Sequence, residues 1–165
     1  MHYQTEPEPP AAYIKCAPKA ARKVLYGIAE TETAGTGDPL QLVDTSTLKV
    51  YRPSNPGKAL AIIHTLEAQG HNVAIGAFGL KSSNFQGWKI SDMDALNGCF
   101  AANFAAGLLK QNEGWAWGQG YRGSQAQNLA VAAYTVGRLT MADGGGAYVQ
   151  IVDYFSQQYI GSIRQ

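Results

Sequence analysis

Ala21-Arg22-Lys23-Val24-Leu25-Tyr26-Gly27-Ile28-Ala29-Glu30-Thr31-Glu32-Thr33 is the stretch on which the fold turns. Ala21, Val24, Leu25, Ile28 and Glu32 recur at helical spacing and share one stripe. Pro18 sits near the helix start, where proline is tolerated, and Gly35 and Gly37 follow as stop signals. The apolar stripe therefore ends in a carboxylate. Glu32 points toward the core or a cleft, and burying it costs free energy unless it is protonated or partnered. Desolvation raises a carboxyl pKa, the property a general acid near neutral pH requires. The other reading of Glu32 is a helix-end carboxylate in solvent, where most such groups lie. Glu30 lies about 200° around the helix from Glu32 and reads as a surface charge.

Upstream, Glu6, Pro7, Glu8, Pro9 and Pro10 mark an irregular lead over residues 1–12, ahead of a single domain over 13–165. The lead holds no apolar core of a signal peptide, which fits either a protein that stays in the cytoplasm or one whose signal has been removed, and composition does not choose between them. Downstream, Leu40, Leu42, Leu48, Val50 and Tyr51 predict two short strands, with Asp44-Thr45-Ser46-Thr47 as the turn. Pro53, Asn55 and Pro56 close this element. A second helix carries Ala59, Ile62, Ile63 and Leu66, with Gly70 just past its end. The apolar run Asn72 to Leu80 is a short strand or a buried loop. Ser91 with Asp94 reads as a capping box, leading through Met93, Leu96 and Cys99 to a stripe of Phe100, Phe104 and Leu108. Glu113 to Gly123 reads as a loop holding Trp115, Trp117 and Tyr121. Ser124 with Gln127 reads as the capping box of a helix with Leu129, Ala132, Ala133 and Val136 on one face. After Gly144–Gly146, a last helix carries Tyr148, Ile151, Val152, Phe155 and Tyr159. The expected class is α+β, mostly helical, with a small β element.

The 165 residues are 45% apolar and only 15% charged, with 13 Lys plus Arg against 12 Asp plus Glu. A net charge of +1 argues against a general nucleic-acid binder, which needs a basic excess. No apolar run approaches 20 residues, so no membrane-spanning helix is expected. His2, His64 and His71 are far apart and no HExxH or CxxC occurs, so no metal site is expected. Gly76-Ala77-Phe78-Gly79 lacks the Lys-Ser/Thr pair of a phosphate loop, and no nucleophile elbow is present. Trp115, Trp117 and Tyr121 suit either sugar stacking or loop anchoring.

Ile28-Ala29-Glu30-Thr31-Glu32-Thr33 resembles the I-A-x-x-E-S signature of lytic transglycosylases, lysozyme-like enzymes that cleave peptidoglycan. The chain is most similar to the transglycosylase subunit of type IV secretion and conjugation systems. Further pieces follow in family order over roughly residues 13 to 155. Cys16-Ala17-Pro18 resembles C-A-P, and Ala68-Gln69-Gly70-His71-Asn72-Val73 resembles A-A-G-H-N-V. Gly76 to Ser82 stands at G-L-M-Q-I-N-S, Asp94 to Cys99 near D-P-C-x-N-L, Ala133 to Gly137 at A-Y-N-T-G, and Ala147-Tyr148-Val149 at G-Y-V.

The resemblance implies a lysozyme-like fold and a lone acid/base, Glu32, with the Tyr134 hydroxyl orienting it. It implies cleavage between N-acetylmuramic acid and N-acetylglucosamine with a 1,6-anhydro product. Gly76, Phe78, Gly79, Ser82, Thr135 and Tyr148 are implied as substrate-binding residues, and no cofactor is expected. The partners implied are peptidoglycan glycan strands and other secretion-system subunits. A Cys16–Cys99 disulfide is also implied, and with it an oxidising, periplasmic setting. The chain departs from the pattern at three positions: Gly79 replaces a Gln, and Lys81 and Thr135 each replace an Asn. Each lost amide removes roughly 0.5–1.5 kcal/mol per hydrogen bond to sugar. Two alternatives stand beside the enzyme: a catalytically weak peptidoglycan-binding scaffold on the same fold, and a hydrolytic lysozyme with Asp38 or Asp44 as second carboxylate.

Overall fold

The computed structural model describes residues 10–85 and 88–159; residues 1–9, with His2 and most of the expected lead, lie outside them. The described residues form seven α-helices and one four-stranded antiparallel sheet, an α+β fold dominated by helix. The helices are α1 (Pro10–Ile14), α2 (Arg22–Glu32), α3 (Pro56–Ala68), α4 (Asp92–Ala95), α5 (Gly98–Gly118), α6 (Gly123–Val136) and α7 (Gly145–Gln158). The strands are β1 (Leu42–Asp44), β2 (Lys49–Tyr51), β3 (Val73–Ile75) and β4 (Leu80–Lys81), in the order β2-β1-β3-β4. No helix among the described residues is long and apolar enough to cross a membrane.

The lead ends earlier than its prolines suggest. Pro10 begins helix α1, whose Tyr13 and Ile14 are buried. Tyr13 packs edge-on against Phe78, and its hydroxyl donates to the Gly37 carbonyl at 2.7 Å. The Cys16–Cys99 disulfide joins the chain after α1 to the first turn of α5.

α2 runs through the core, packed against α7, α1 and α5. Its approach to α7 is close because Gly27 has no side chain: a Cβ there would collide with the Ser156 hydroxyl and the Val152 carbonyl. The C-terminal end of α2 is pinned to the sheet. Gln41 Nε2 donates to the Glu32 carbonyl at 2.8 Å, and Arg52 donates to Gln41 Oε1 at 3.2 Å.

The sheet is built from the two strands expected around 40–51 and a second hairpin, β3–β4, over the run read as a strand or a buried loop. Leu42 pairs with Tyr51 on one side and Ile75 on the other. The run Asn72–Leu80 resolves into both readings, a strand and then a buried turn at 76–79 leading into β4. Asn55 caps α3 through Lys58 N, with Pro56 in its first turn, and Gly70 beyond its end is left-handed. The Ser91–Asp94 capping box is formed.

Four helix expectations are corrected. The buried face of α5 is Ala101, Ala102, Ala105, Ala106 and Leu109, while Phe100 is exposed and Phe104 and Leu108 lie at its edge. Small side chains let α5 lie close to α6, whose facing side is also rich in alanine. Residues 113–118 continue α5 instead of forming a loop, so Trp115 and Trp117 stand 44% and 50% exposed on a helix. Helix α6 begins at Gly123 without a side-chain cap, so Ser124 and Gln127 form no capping box. In α7, Val149, Val152 and Ser156 face the core, while Ile151 is exposed.

Candidate active site

Glu32 is the last residue of α2, and three elements converge on its carboxyl. From α7, the Tyr148 hydroxyl donates to Glu32 Oε1 at 2.7 Å. From the β3–β4 turn, Gly79 lies against the other oxygen: a Cβ on Gly79 would stand 2.5 Å from Oε2 and 2.8 Å from the carboxyl carbon. From β4, Lys81 brings a positive charge that acts on Glu32. Burial pushes the Glu32 carboxyl above the usual carboxylate range, and this outweighs the lowering effects of the Tyr148 bond and the Lys81 charge.

Both tyrosines stay neutral. Burial, then the nearby Glu32 charge, drive the hydroxyls of Tyr134 and Tyr148 well above their ordinary value. They therefore act as fixed hydrogen-bond donors. Tyr134, however, does not orient Glu32. Its hydroxyl donates to the Phe78 carbonyl at 2.6 Å, tying α6 to the β3–β4 turn. The residue that orients Glu32 is Tyr148. The orienting role expected of Tyr134 falls to Tyr148, because it is α7 that the Gly27 contact brings against α2.

The turn explains itself residue by residue. Gly76 and Gly79 both have positive φ, at 79° and 58°, a region L side chains rarely adopt. Gly76 is buried against the Ala95 carbonyl, which a Cβ would approach to 2.6 Å. Phe78 is 0% exposed in the core, so its side chain does not line a binding surface. Ser82 follows β4 and opens a short 3-10 turn over Ser82–Phe85. Its hydroxyl donates to Asn72 Oδ1 at 3.2 Å. Thr135 presents its carbonyl to Lys81 Nζ at 3.5 Å. Of the expected binding residues, Tyr148 and Gly79 meet the Glu32 carboxyl and the Thr135 carbonyl lies beside Lys81; Gly76 packs on the Ala95 carbonyl, Phe78 is in the core and Ser82 bonds Asn72.

Asp38 and Asp44 are occupied elsewhere. Asp38 accepts from Leu40 N at 2.9 Å. Asp44 accepts from His71 Nδ1 at 2.7 Å and from Ser46 N at 2.9 Å. Burial acts to raise the Asp44 carboxyl, but its bonds with His71, Ser46 and Thr47 and the His71 charge together hold it below its usual range. Glu30 is not a surface charge. It is 8% exposed, and burial raises its carboxyl. The assumption of one buried face fails because α2 is covered on several sides.

Among the described residues, no group of three or more His, Cys, Asp or Glu is placed to hold a metal ion. A groove of about 740 Å³ opens between α2, α5, α6 and α7, with Lys23, Lys110, Val131 and Val152 in its walls. It includes neither Glu32 nor the groups around it, so this groove and the Glu32 carboxyl are separate features. Compared with known proteins, the chain matches no protein-family model, no curated protein and no solved structure.

Proposed function

We propose that the chain is a lysozyme-like peptidoglycan lytic transglycosylase, with Glu32 as its single acid and base. The observation that carries this reading is the geometry at the Glu32 carboxyl, which accepts from the Tyr148 hydroxyl and is pushed by burial above the usual carboxylate range. A neutral carboxyl donates its proton to the glycosidic oxygen between N-acetylmuramic acid and N-acetylglucosamine as the C1–O bond breaks. The carboxylate left behind takes the proton of the muramyl 6-hydroxyl. Its oxygen bonds to C1, and the 1,6-anhydro ring closes without water.

Ordinary glycosidases use two carboxylates. The two candidates for a second one already accept hydrogen bonds, Asp38 from Leu40 N and Asp44 from Ser46 N and His71 Nδ1, which favours the one-carboxylate route over a hydrolytic lysozyme. The Cys16–Cys99 bridge supports a periplasmic setting. There the enzyme opens the glycan mesh locally for a secretion or conjugation apparatus, whose subunits are its protein partners.

Purified sacculi incubated with the protein and with Glu32→Gln test the reading, with released muropeptides weighed by mass spectrometry. Anhydro-muropeptides from the wild type alone are expected. Reducing-end products would establish hydrolysis instead. Pelleting on sacculi with no release would establish the peptidoglycan-binding scaffold.

A further inference from the structure

Lys81 stands where the resembling family carries an amide, and its placement is specific. Leu80 before it is buried, and Ser82 after it bonds Asn72. Lys81 therefore projects from the opposite side of the strand, and its Nζ lies 3.5 Å from the Thr135 carbonyl oxygen. Thr135 is in the last turn of α6, where unsatisfied carbonyls carry partial negative charge and favour a cation. The neighbouring Tyr134 holds the Phe78 carbonyl. The end of α6 thus grips residues 78 and 81, and Gly79 between them presses on the Glu32 carboxyl. An ammonium has three donors, and this one makes a single long hydrogen bond among the described residues.

We propose that Lys81 is a positioning residue for the reaction: held at the C-terminal end of α6, its ammonium stabilises the Glu32 carboxylate left after proton transfer. The inference rests on the reading of Glu32 as acid and base. Charge on Glu32 appears only in the second half of the cycle. A fixed cation beside it favours that state over the neutral one, which is the condition for lowering a barrier. The groups acting on Glu32 divide by element: Tyr148 from α7 donates a hydrogen bond, Tyr134 from α6 is a neutral neighbour whose hydroxyl is held by the Phe78 carbonyl, and Lys81 from β4 supplies positive charge.

The test uses Lys81→Met, Lys81→Gln and Lys81→Arg with two readouts. The first is an NMR titration of the Glu32 side-chain carboxyl, which needs no turnover. The Met and Gln variants are expected to titrate at higher pH than wild type, with Arg restoring most of the difference. The second is the rate of muropeptide release against pH. Its plateau should fall roughly tenfold in the Met and Gln variants, about 1.4 kcal/mol, while its alkaline limb moves to higher pH. A structural role alone would lower the plateau without moving the limb. An unchanged titration in the neutral variants, or a shifted titration with an unchanged plateau, overturns the proposal. If wild type releases no products, the transglycosylase reading falls, and the titration still shows whether Lys81 acts on Glu32.

Discussion

Tyr148 on α7 donates a 2.7 Å hydrogen bond to Oε1 of Glu32 on α2, joining residues 116 positions apart. The bond favours the charged carboxylate and opposes the burial that pushes the Glu32 carboxyl upward. Tyr148→Phe keeps the ring and removes the donor. A hydrogen bond to a charged group contributes about 1.5–3 kcal/mol, so the plateau rate should drop roughly 10- to 100-fold. The alkaline limb of the pH profile should move upward, since a lowering influence on Glu32 is gone. A limb that moves down would show that the bond acts on the neutral acid instead.

Gly79 is the tightest geometric constraint on the site. Its φ of 58° already disfavours a side chain, at about 1–2 kcal/mol for a left-handed non-glycine residue. A Cβ would also stand 2.5 Å from Glu32 Oε2. Gly79→Ala should therefore lose most activity for a small fall in Tm, because the carboxyl must swing off Tyr148. Retained activity with an unchanged Tyr148–Glu32 bond in a structure of the variant would contradict this. The same contact explains why a Gln has no room at this position.

Local signals were legible in the sequence wherever one residue decides a turn or a cap. The Asn55 cap, the Ser91–Asp94 box, left-handed Gly70 and the β1–β2 hairpin all follow from residue types at fixed offsets. Glu32 was legible because its apolar stripe runs straight into it. What escaped depends on how helices meet. Large aromatics suggest the core of α5, yet the close approach of α5 to α6 selects alanine. Glu30 looks exposed only if α2 has one neighbour. That Tyr148 and not Tyr134 bonds Glu32 turns on whether α6 or α7 lies against its carboxyl, and no periodicity encodes that.

The Cys16–Cys99 bridge closes a loop with a separation of 83 residues between α1 and α5. In the chain-entropy description, a loop of that size contributes about 4–5 kcal/mol. Reductant should lower Tm by several degrees or more. It should also loosen the Tyr13–Phe78 contact that backs the β3–β4 turn. Mass spectrometry with alkylation, with and without reductant, verifies the bridge. Free thiols in the native protein would refute it.

The raised Glu32 carboxyl makes a stability prediction whose sign is fixed. In the unfolded chain the group titrates near 4.5; in the folded protein burial moves it higher. Between those two values the folded state holds a proton that the unfolded state has released, so stability falls as pH rises across that window. Below about pH 4 both states are protonated, and the penalty vanishes. Glu32→Gln keeps the shape and an oxygen for Tyr148 but does not ionise. Its Tm should match wild type at pH 4 and exceed it increasingly toward pH 8, levelling off once the folded-state carboxyl is fully ionised. Glu30, also raised by burial, is present in both proteins and cancels in the difference. Thermal melts by circular dichroism at pH 4, 6 and 8 measure it. A difference that is flat across this range, or that favours wild type at pH 8, would mean the carboxyl is solvated and no general acid near neutral pH.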